Sequence, residues 1–402
     1  MCEAFSRLQG VTTSATSLHA ALDVDPGRLP ALLKPVIEAE RDRSDEIRKA
    51  TPTLVEALRS AGAFRLLTPQ ELGGFELPLA CALGIYEEFG RIDASTGLLV
   101  WNANFGLCAA YLPEAGVARI WGEDPDPVIA NSGRPLPAQP VEGGFRLTGR
   151  WDLLTGVDSA EWISLIAFVQ DGDQPRLTDA GVLDLRVFFL PRDQVQVLDS
   201  WHTTGVRGSG SASVVLDDVF VPDDSVLALG GRARLDGPLY RIPAASLVIP
   251  GCAAVVLGVA RGAVDEVARL VGEKRGMDGN LLSAQLRVQS AIAAAEASLR
   301  AAKLLLLSAA GDLDAAAAAG SEPGLGLRGA LHAAMAHAGQ VSREVLVAMY
   351  ELGSSTSLYT DNRLEHVFRD GMAAMQHGNV APMHFELAGR VLLGLDPASP
   401  IV

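Results

Sequence analysis

Apolar positions along the chain change their spacing twice. From about Leu29 to Trp121 they recur at helical spacing: Leu54, Leu58 and Ala61 share one face, and a second run passes through Ala80, Ile85 and Phe89. Pro69 and the Gly73-Gly74 pair break the pattern between them, and Asp93 or Ser95 is suited to cap a third helix. From about Val128 to Leu229 the runs shorten to strands. Trp162 to Val169 and Arg186 to Leu190 read as buried strands, Gln194 to Leu198 alternates, and Ser211 to Val221 is ended by Pro222. Gly, Pro and Asp punctuate these runs and no helical stretch separates them, which favours an antiparallel sheet over βαβ units. From Leu239 the helical period returns in Cys252–Gly272, Leu281–Ala310, Leu327–Leu352 and Phe385–Leu393, with an alanine-rich segment at Ala315–Gly320 that reads as a helix end or an exposed connection. The expected organisation is a flexible N-terminus (1–28), a helical domain (29–126), a β-sheet domain (127–232) and a C-terminal helical region (233–402).

Charge and composition narrow the partners. The 402 residues carry a formal net charge of −15, which argues against nucleic acid or an anionic membrane as the main partner. The apolar stretch Ile242–Ala260 contains Pro243, Pro250, Gly251 and Gly258 and runs into a periodic helix, so a buried core helix is expected rather than a membrane span. The N-terminal residues show no basic stretch followed by an apolar core, and no signal peptide is expected. Cys2, Cys81, Cys108 and Cys252 stand singly, which suggests neither a disulfide framework nor a thiolate metal site and fits a reducing cytoplasm.

Common catalytic motifs are missing. There is no Walker A pattern, no G-x-S-x-G and no H-E-x-x-H. The glycines of Gly205-Val206-Arg207-Gly208-Ser209-Gly210 precede a strand, so no helix N-terminus is available for a pyrophosphate. His332 and His337 are five apart, off a common helical face, and no metal site is expected.

An ordered set of loose motifs carries a resemblance. Ala61-Gly62-Ala63-Phe64 with Pro69 to Gly74, Gly149-Arg150-Trp151 with Thr155-Gly156, Gly205 to Ser211, Val219 to Pro222 and Phe368-Arg369-Asp370 resemble, in order, segments of the acyl-CoA dehydrogenase superfamily. His366 stands where many members have arginine. The resemblance implies a mainly α fold with a central β module: a helical N-terminal domain, an antiparallel β domain and a C-terminal four-helix bundle. Departures from the family then point to a branch. A dehydrogenase needs a carboxylate to take the proton α to the thioester carbonyl. Here Met375-Gln376-His377-Gly378-Asn379 holds no acid, and Leu239 to Val264 has no Asp or Glu. These features resemble the oxygenase components of two-component flavin monooxygenases, among them 4-hydroxyphenylacetate hydroxylases, indole-acetate monooxygenases and dibenzothiophene monooxygenase. Ser159, where many of that branch have histidine, departs from the phenol hydroxylases.

That resemblance implies reduced flavin (FADH2 or FMNH2) from a separate NAD(P)H:flavin reductase, O2, a C4a-(hydro)peroxyflavin, a small phenolic or indolic substrate and a cytoplasmic homotetramer. It places His377 beside the flavin, to deprotonate a phenol or indole N–H or to hydrogen-bond the peroxide, against a structural histidine on a loop. Thr155 would offer a hydroxyl to flavin N5, or act as a turn residue before Gly156. Asn131 and Ser132 would lie between flavin and substrate, or form an Asx-type turn. Trp151 resembles a flavin-wall tryptophan, or packs in the core. Arg275, with Gln285 and Gln289 beyond it, resembles an arginine that meets a neighbouring subunit's flavin phosphate, or is solvated. Arg369 is either a cofactor contact or, with Arg363 and Asp370, part of a structural ion pair. Left open are an N-hydroxylase of amines or amino-sugars, an acyl-CoA dehydrogenase or oxidase with an atypical base, and a flavin-less scaffold or acyl-binding protein.

Overall fold

Polar side chains set where two of the first helices begin. In the computed structural model, which describes residues 24–179, 181–399 and 401–402, five helices come first. They are α1 (Leu29–Ile47), α2 (Pro52–Ser60), α3 (Leu79–Ile92), α4 (Ala94–Ala103) and α5 (Glu114–Trp121). Most of the expected flexible N-terminus (1–28) lies outside the described residues. Thr51 caps α2 by accepting from Leu54 N. Asp93, rather than Ser95, caps α4: its Oδ2 accepts from the Thr96 backbone N at 2.9 Å and its hydroxyl at 2.8 Å. Leu54 and Leu58 are buried as the spacing predicts.

Eight strands follow: β1 (Ile129–Val141), β2 (Gly144–Leu154), β3 (Trp162–Asp171), β4 (Gln174–Pro175), β5 (Leu185–Pro191), β6 (Gln196–Val197), β7 (Ala212–Pro222) and β8 (Val226–Ala228). They form one sheet in the order β6-β7-β2-β1-β3-β5-β8, with β4 on β3. The expected antiparallel sheet is corrected in one place: β1 and β3 run parallel, with Asn131 opposite Ser164. The parallel pair needs no crossover helix because β2 lies between them in sequence and returns the chain to the starting end. The strand expected over Gln194–Leu198 shrinks to Gln196–Val197, since Arg192–Gln194 forms a 3-10 turn.

Alternation in β3 separates two cores. Ile163, Leu165, Ala167 and Val169 pack inside the sheet module with Trp151 and Phe188. Trp162 and Ile166 face the helices, as do Ile129 of β1 and Val187 and Phe189 of β5.

The C-terminal region holds α6 (Ala244–Val248), α7 (Gly251–Glu273), α8 (Leu286–Ala318), α9 (Leu325–Gly353), α10 (Arg363–Ala374) and α11 (Met383–Leu392). α7 and α9 pack together at the centre, α8 and α10 flank them, and α11 lies on α9. The apolar stretch Ala244–Glu273 has a window long and apolar enough to span a membrane, yet 78% of that window is buried inside the protein. It is a core element here, packed on α3 through a close crossing. A Cβ on Gly258 would overlap the Glu87 carbonyl, and one on Gly90 the Val255 carbonyl.

Candidate active site

One turn of α4 collects the residues that the sequence singled out on separate segments. This helix is buried along its whole length, although it carries Ser95, Thr96 and Asn102. Leu99 lies against Gly156, where an added Cβ would sit 2.5 Å from Leu99 Cδ1 and where φ is +75°. Trp101 meets His377 edge to face with ring centroids 5.1 Å apart. Asn102 accepts two hydrogen bonds from Asn131 Nδ2, at 2.9 Å to its carbonyl and 2.8 Å to Oδ1. Leu99 to Asn102 rise only about 4.5 Å along the helix, so the ends of β1 and β2 and the loop after α10 converge there.

Each partner is held in turn. Trp101 Nε1 donates to the Val248 carbonyl at 2.7 Å, and Gly251 leaves room for its ring. Asn104 ties the Ala61–Phe64 segment to α4 by accepting from Leu66 N and donating to the Ala63 and Val100 carbonyls. Thr155 Oγ1 is 2.9 Å from Ser211 Oγ, which is 2.8 Å from the buried Ser209 Oγ. This chain of three hydroxyls leaves Thr155 free to donate outward while Ser211 donates to it. Ser132 Oγ donates to the Asp152 carbonyl across the β1–β2 edge. Trp151 is fully buried in the sheet core with its indole N–H on the Ile166 carbonyl, so it acts on the site through the strand it anchors.

The His377 ring has a defined hydrogen-bond polarity. Nδ1 accepts from Asn379 N at 3.1 Å, so the neutral ring carries its proton on Nε2 and presents a donor. The ring keeps contact with solvent, yet protein atoms crowd it, and this desolvation, followed by the nearby His384, lowers its pKa to about 4. It is therefore neutral at physiological pH.

Arg369 and Arg275 lie elsewhere. Arg369 donates to the Thr204 carbonyl and pairs with Asp45 and Glu365. It borders an open groove of about 470 Å³ that also includes Phe368 and Gln376. Asp370 accepts from Val206 N at 2.8 Å and pairs with His366 at 2.9 Å, and so holds Val206 in a left-handed conformation (φ 48°). Asp45, His366 and Asp370 approach one another within 4.8 Å, but Arg207 and Arg369 pair with Asp45 while Asp370 is held by His366 and Val206 N, and the cluster reads as a polar network. Arg363 is half-buried and donates to the Ile92 carbonyl. Arg275 sits on the exposed segment between α7 and α8, where it donates to Gly279 O. Gln285 precedes α8 and accepts from Arg287 Nε, and Gln289 donates to Ser283 O. Sequence reasoning missed Trp101 and Asn102. The available signal was a tryptophan and two asparagines inside an otherwise apolar run from Gly97 to Tyr111.

These residues fit a flavin. Ser164, the β3 partner of Asn131, is buried with its hydroxyl unpartnered, an unfilled hydrogen bond beside the face where Asn131 sits. The donors left unspent, the Thr155 and Ser164 hydroxyls and the neutral His377 imidazole, suit a polar aromatic ring.

Residues 31–119 match the acyl-CoA dehydrogenase N-terminal domain and residues 250–382 the acyl-CoA dehydrogenase C-terminal domain. The chain belongs to the acyl-CoA dehydrogenase family. Within that family it is a flavin-dependent monooxygenase. It is 29% identical to indole-3-acetate monooxygenase of Pseudomonas putida over 90% of this chain and 93% of that protein. It is 32% identical to the oxygenase component of the FADH2-dependent resorcinol hydroxylase of Rhizobium sp., over 66% of this chain and 67% of that one. The HsaA monooxygenase of M. tuberculosis superposes with a TM-score of 0.85 at 25% identity, over 93% of this chain and 99% of that chain.

Proposed function

We propose that this chain is the oxygenase component of a two-component system that hydroxylates a small phenolic or indolic ring. A separate NAD(P)H:flavin reductase in the cytoplasm would deliver the reduced flavin, and the working assembly would be a homotetramer. The observation that carries the reading is the convergence of Asn131, Gly156 and His377 on one turn of α4. When bound, reduced flavin supplies the electrons that activate oxygen.

The protein's own residues would do the rest. Thr155 donates its hydroxyl toward the ring, backed by Ser211 and Ser209. Asn131, Ser132 and Ser164 line the adjacent strand ends and fix orientation. His377 serves as a neutral donor: with Nδ1 occupied by Asn379 N–H, its Nε2–H points a hydrogen bond at the transferred oxygen or the substrate's phenolic oxygen. Acting as a base would require the ring to exchange tautomers and give up Asn379. Trp101 walls the site and helps exclude water, which protects against wasteful peroxide release. Arg275 would reach the flavin phosphate of a neighbouring subunit, and Arg369 would border the cofactor through its groove.

The test is turnover with an NADH:flavin reductase, FAD or FMN, and 18O2 against a panel including indole-3-acetate and resorcinol. One 18O atom per hydroxylated product, dependent on reduced flavin, is expected. Peroxide alone with every aromatic tried, together with bleaching of bound FAD by an acyl-CoA, would overturn the proposal.

A further inference from the structure

Two buried histidines lie directly behind the His377 loop, and the chemistry above uses neither. His332 is on α9 and His384 opens α11, and both are about 1% exposed. Their Nδ1 atoms face each other at 2.7 Å. His332 Nε2 is 3.0 Å from the Ile401 carbonyl, and His384 Nε2 is 3.1 Å from the carbonyl of Gly378, the residue next to His377.

Counting protons along this chain gives a definite result. A carbonyl only accepts, so each Nε2 has to donate. The Nδ1–Nδ1 contact needs a third hydrogen between the rings. Two neutral imidazoles supply two, and one contact is left with lone pairs facing each other. A single added proton completes all three. His377 is placed the other way round: a proton added there lands on Nδ1, against the N–H of Asn379.

We propose that His332 and His384 form a proton-accepting pair that takes up one shared proton ahead of His377 as the medium turns acid, and so keeps His377 neutral and its loop in place. The proposal rests on the reading of His377 as a working residue of the site. The surroundings set where the proton arrives. Burial lowers the pKa of both rings, and Arg328 of α9 adds to the effect on His332. Arg343 of α9 donates to the Met375 carbonyl at the other end of the loop. Glu386 and Arg390 of α11 and Asp396 of the last segment are exposed, and among the described residues no carboxylate pairs with either ring. Uptake therefore falls in the acid range. Once made, the cation sits beside His377 and repels a second proton, because like charges disfavour one another. His332 and His384 are positioning residues, since neither lies among the groups that reach the flavin face.

The test reads His377 directly and without turnover. Carbethoxylation of the exposed His377 ring by diethyl pyrocarbonate is followed against pH, peptide by peptide, by mass spectrometry. In His384→Gln the amide still donates to Gly378 but the proton shared between two rings is gone, and the His377 midpoint is expected to rise by about 1 pH unit. His332→Gln gives the same shift from the other ring and stands in if the first variant does not fold. In the unaltered protein, neutron diffraction of crystals at a pH of about 4, where the pair begins to fill, is expected to show a hydrogen between the two Nδ1 atoms and none on His377 Nδ1. An unchanged midpoint in a folded variant, or a hydrogen on His377 Nδ1 with none between the pair, overturns the proposal. A shifted midpoint combined with full hydroxylation by His377→Ala would keep the pair and discard the role given to His377.

Discussion

His377 offers a sharper choice than its position suggests, because a donor and a base fail differently when replaced. Gln can place an amide N–H near the position of Nε2 but cannot accept a proton at pH 7. His377→Ala is expected to lower hydroxylation about 100-fold, the usual loss when one donor to a developing charge is removed, with reduced flavin diverted to peroxide. His377→Gln should stay within about tenfold of the parent. Equal losses in both, read as product formed per flavin oxidised, would make His377 a base. The pH dependence has a fixed sign. His332 and His377 have native pKa values of about 4, below the 6.5 of the unfolded chain, so unfolding takes up protons in acid. Stability from these groups is present above pH 6.5 and is lost as pH falls toward 4. Melting temperature against pH should show this, with a shallower slope in His332→Gln. At this scale the sequence was partly legible. His377 and Thr155 stood out because motifs flank them. Trp101 and Asn102 did not, because an apolar run hides which of its faces meets the polar groups of other segments. The His332–His384 pair was invisible because 52 residues separate the two rings.

Some helix and strand boundaries were legible for reasons local to a few residues: Asp93 caps, Pro222 stops, and the continuous apolar run of β3 marks a buried strand. The parallel pairing of β1 with β3 could not be read, since alternation records which side is buried and not which neighbour runs beside it. What fixes elements against each other is often a glycine. At Gly258 the α3–α7 crossing leaves no space for a methyl group, and relief would require the two helices to separate along a fully buried face. Gly258→Ala is expected to destabilise by about 3 kcal/mol, visible as a lower denaturant midpoint. Gly272, with open space around its missing Cβ, is the control, and its alanine variant should be neutral or slightly stabilising. Gly156→Ala tests the site more than the fold. Its methyl would press on Leu99 at a left-handed backbone position, and the expected outcome is weakened flavin binding with a smaller loss of stability.

At the scale of the whole molecule the chain carries two basic features outside the α4 turn, and they call for different explanations. Arg369 is engaged by Asp45, Glu365 and Thr204 within its own chain, tying α10 to α1 and to the loop before β7. Arg275 has a single backbone acceptor, on a segment whose Met277 is fully exposed. An arginine with one acceptor, on an exposed segment beside an exposed Leu286, is either solvated or able to reach a group outside its own chain. If that is the flavin phosphate of a neighbouring copy, each site is completed by two subunits, and the damage from two mutations can be separated. Arg275→Ala alone should weaken flavin binding about tenfold, the value of one charged hydrogen bond. His377→Ala alone should bind flavin and fail to hydroxylate. Unfolded together and reassembled, the two variants would form pairs in which one site combines an intact His377 with an intact Arg275 from the partner. Random pairing across a two-fold interface then restores about a quarter of the parent activity at limiting flavin. If Arg275 serves its own chain, every site in the mixture carries one defect or the other, and mixing restores nothing.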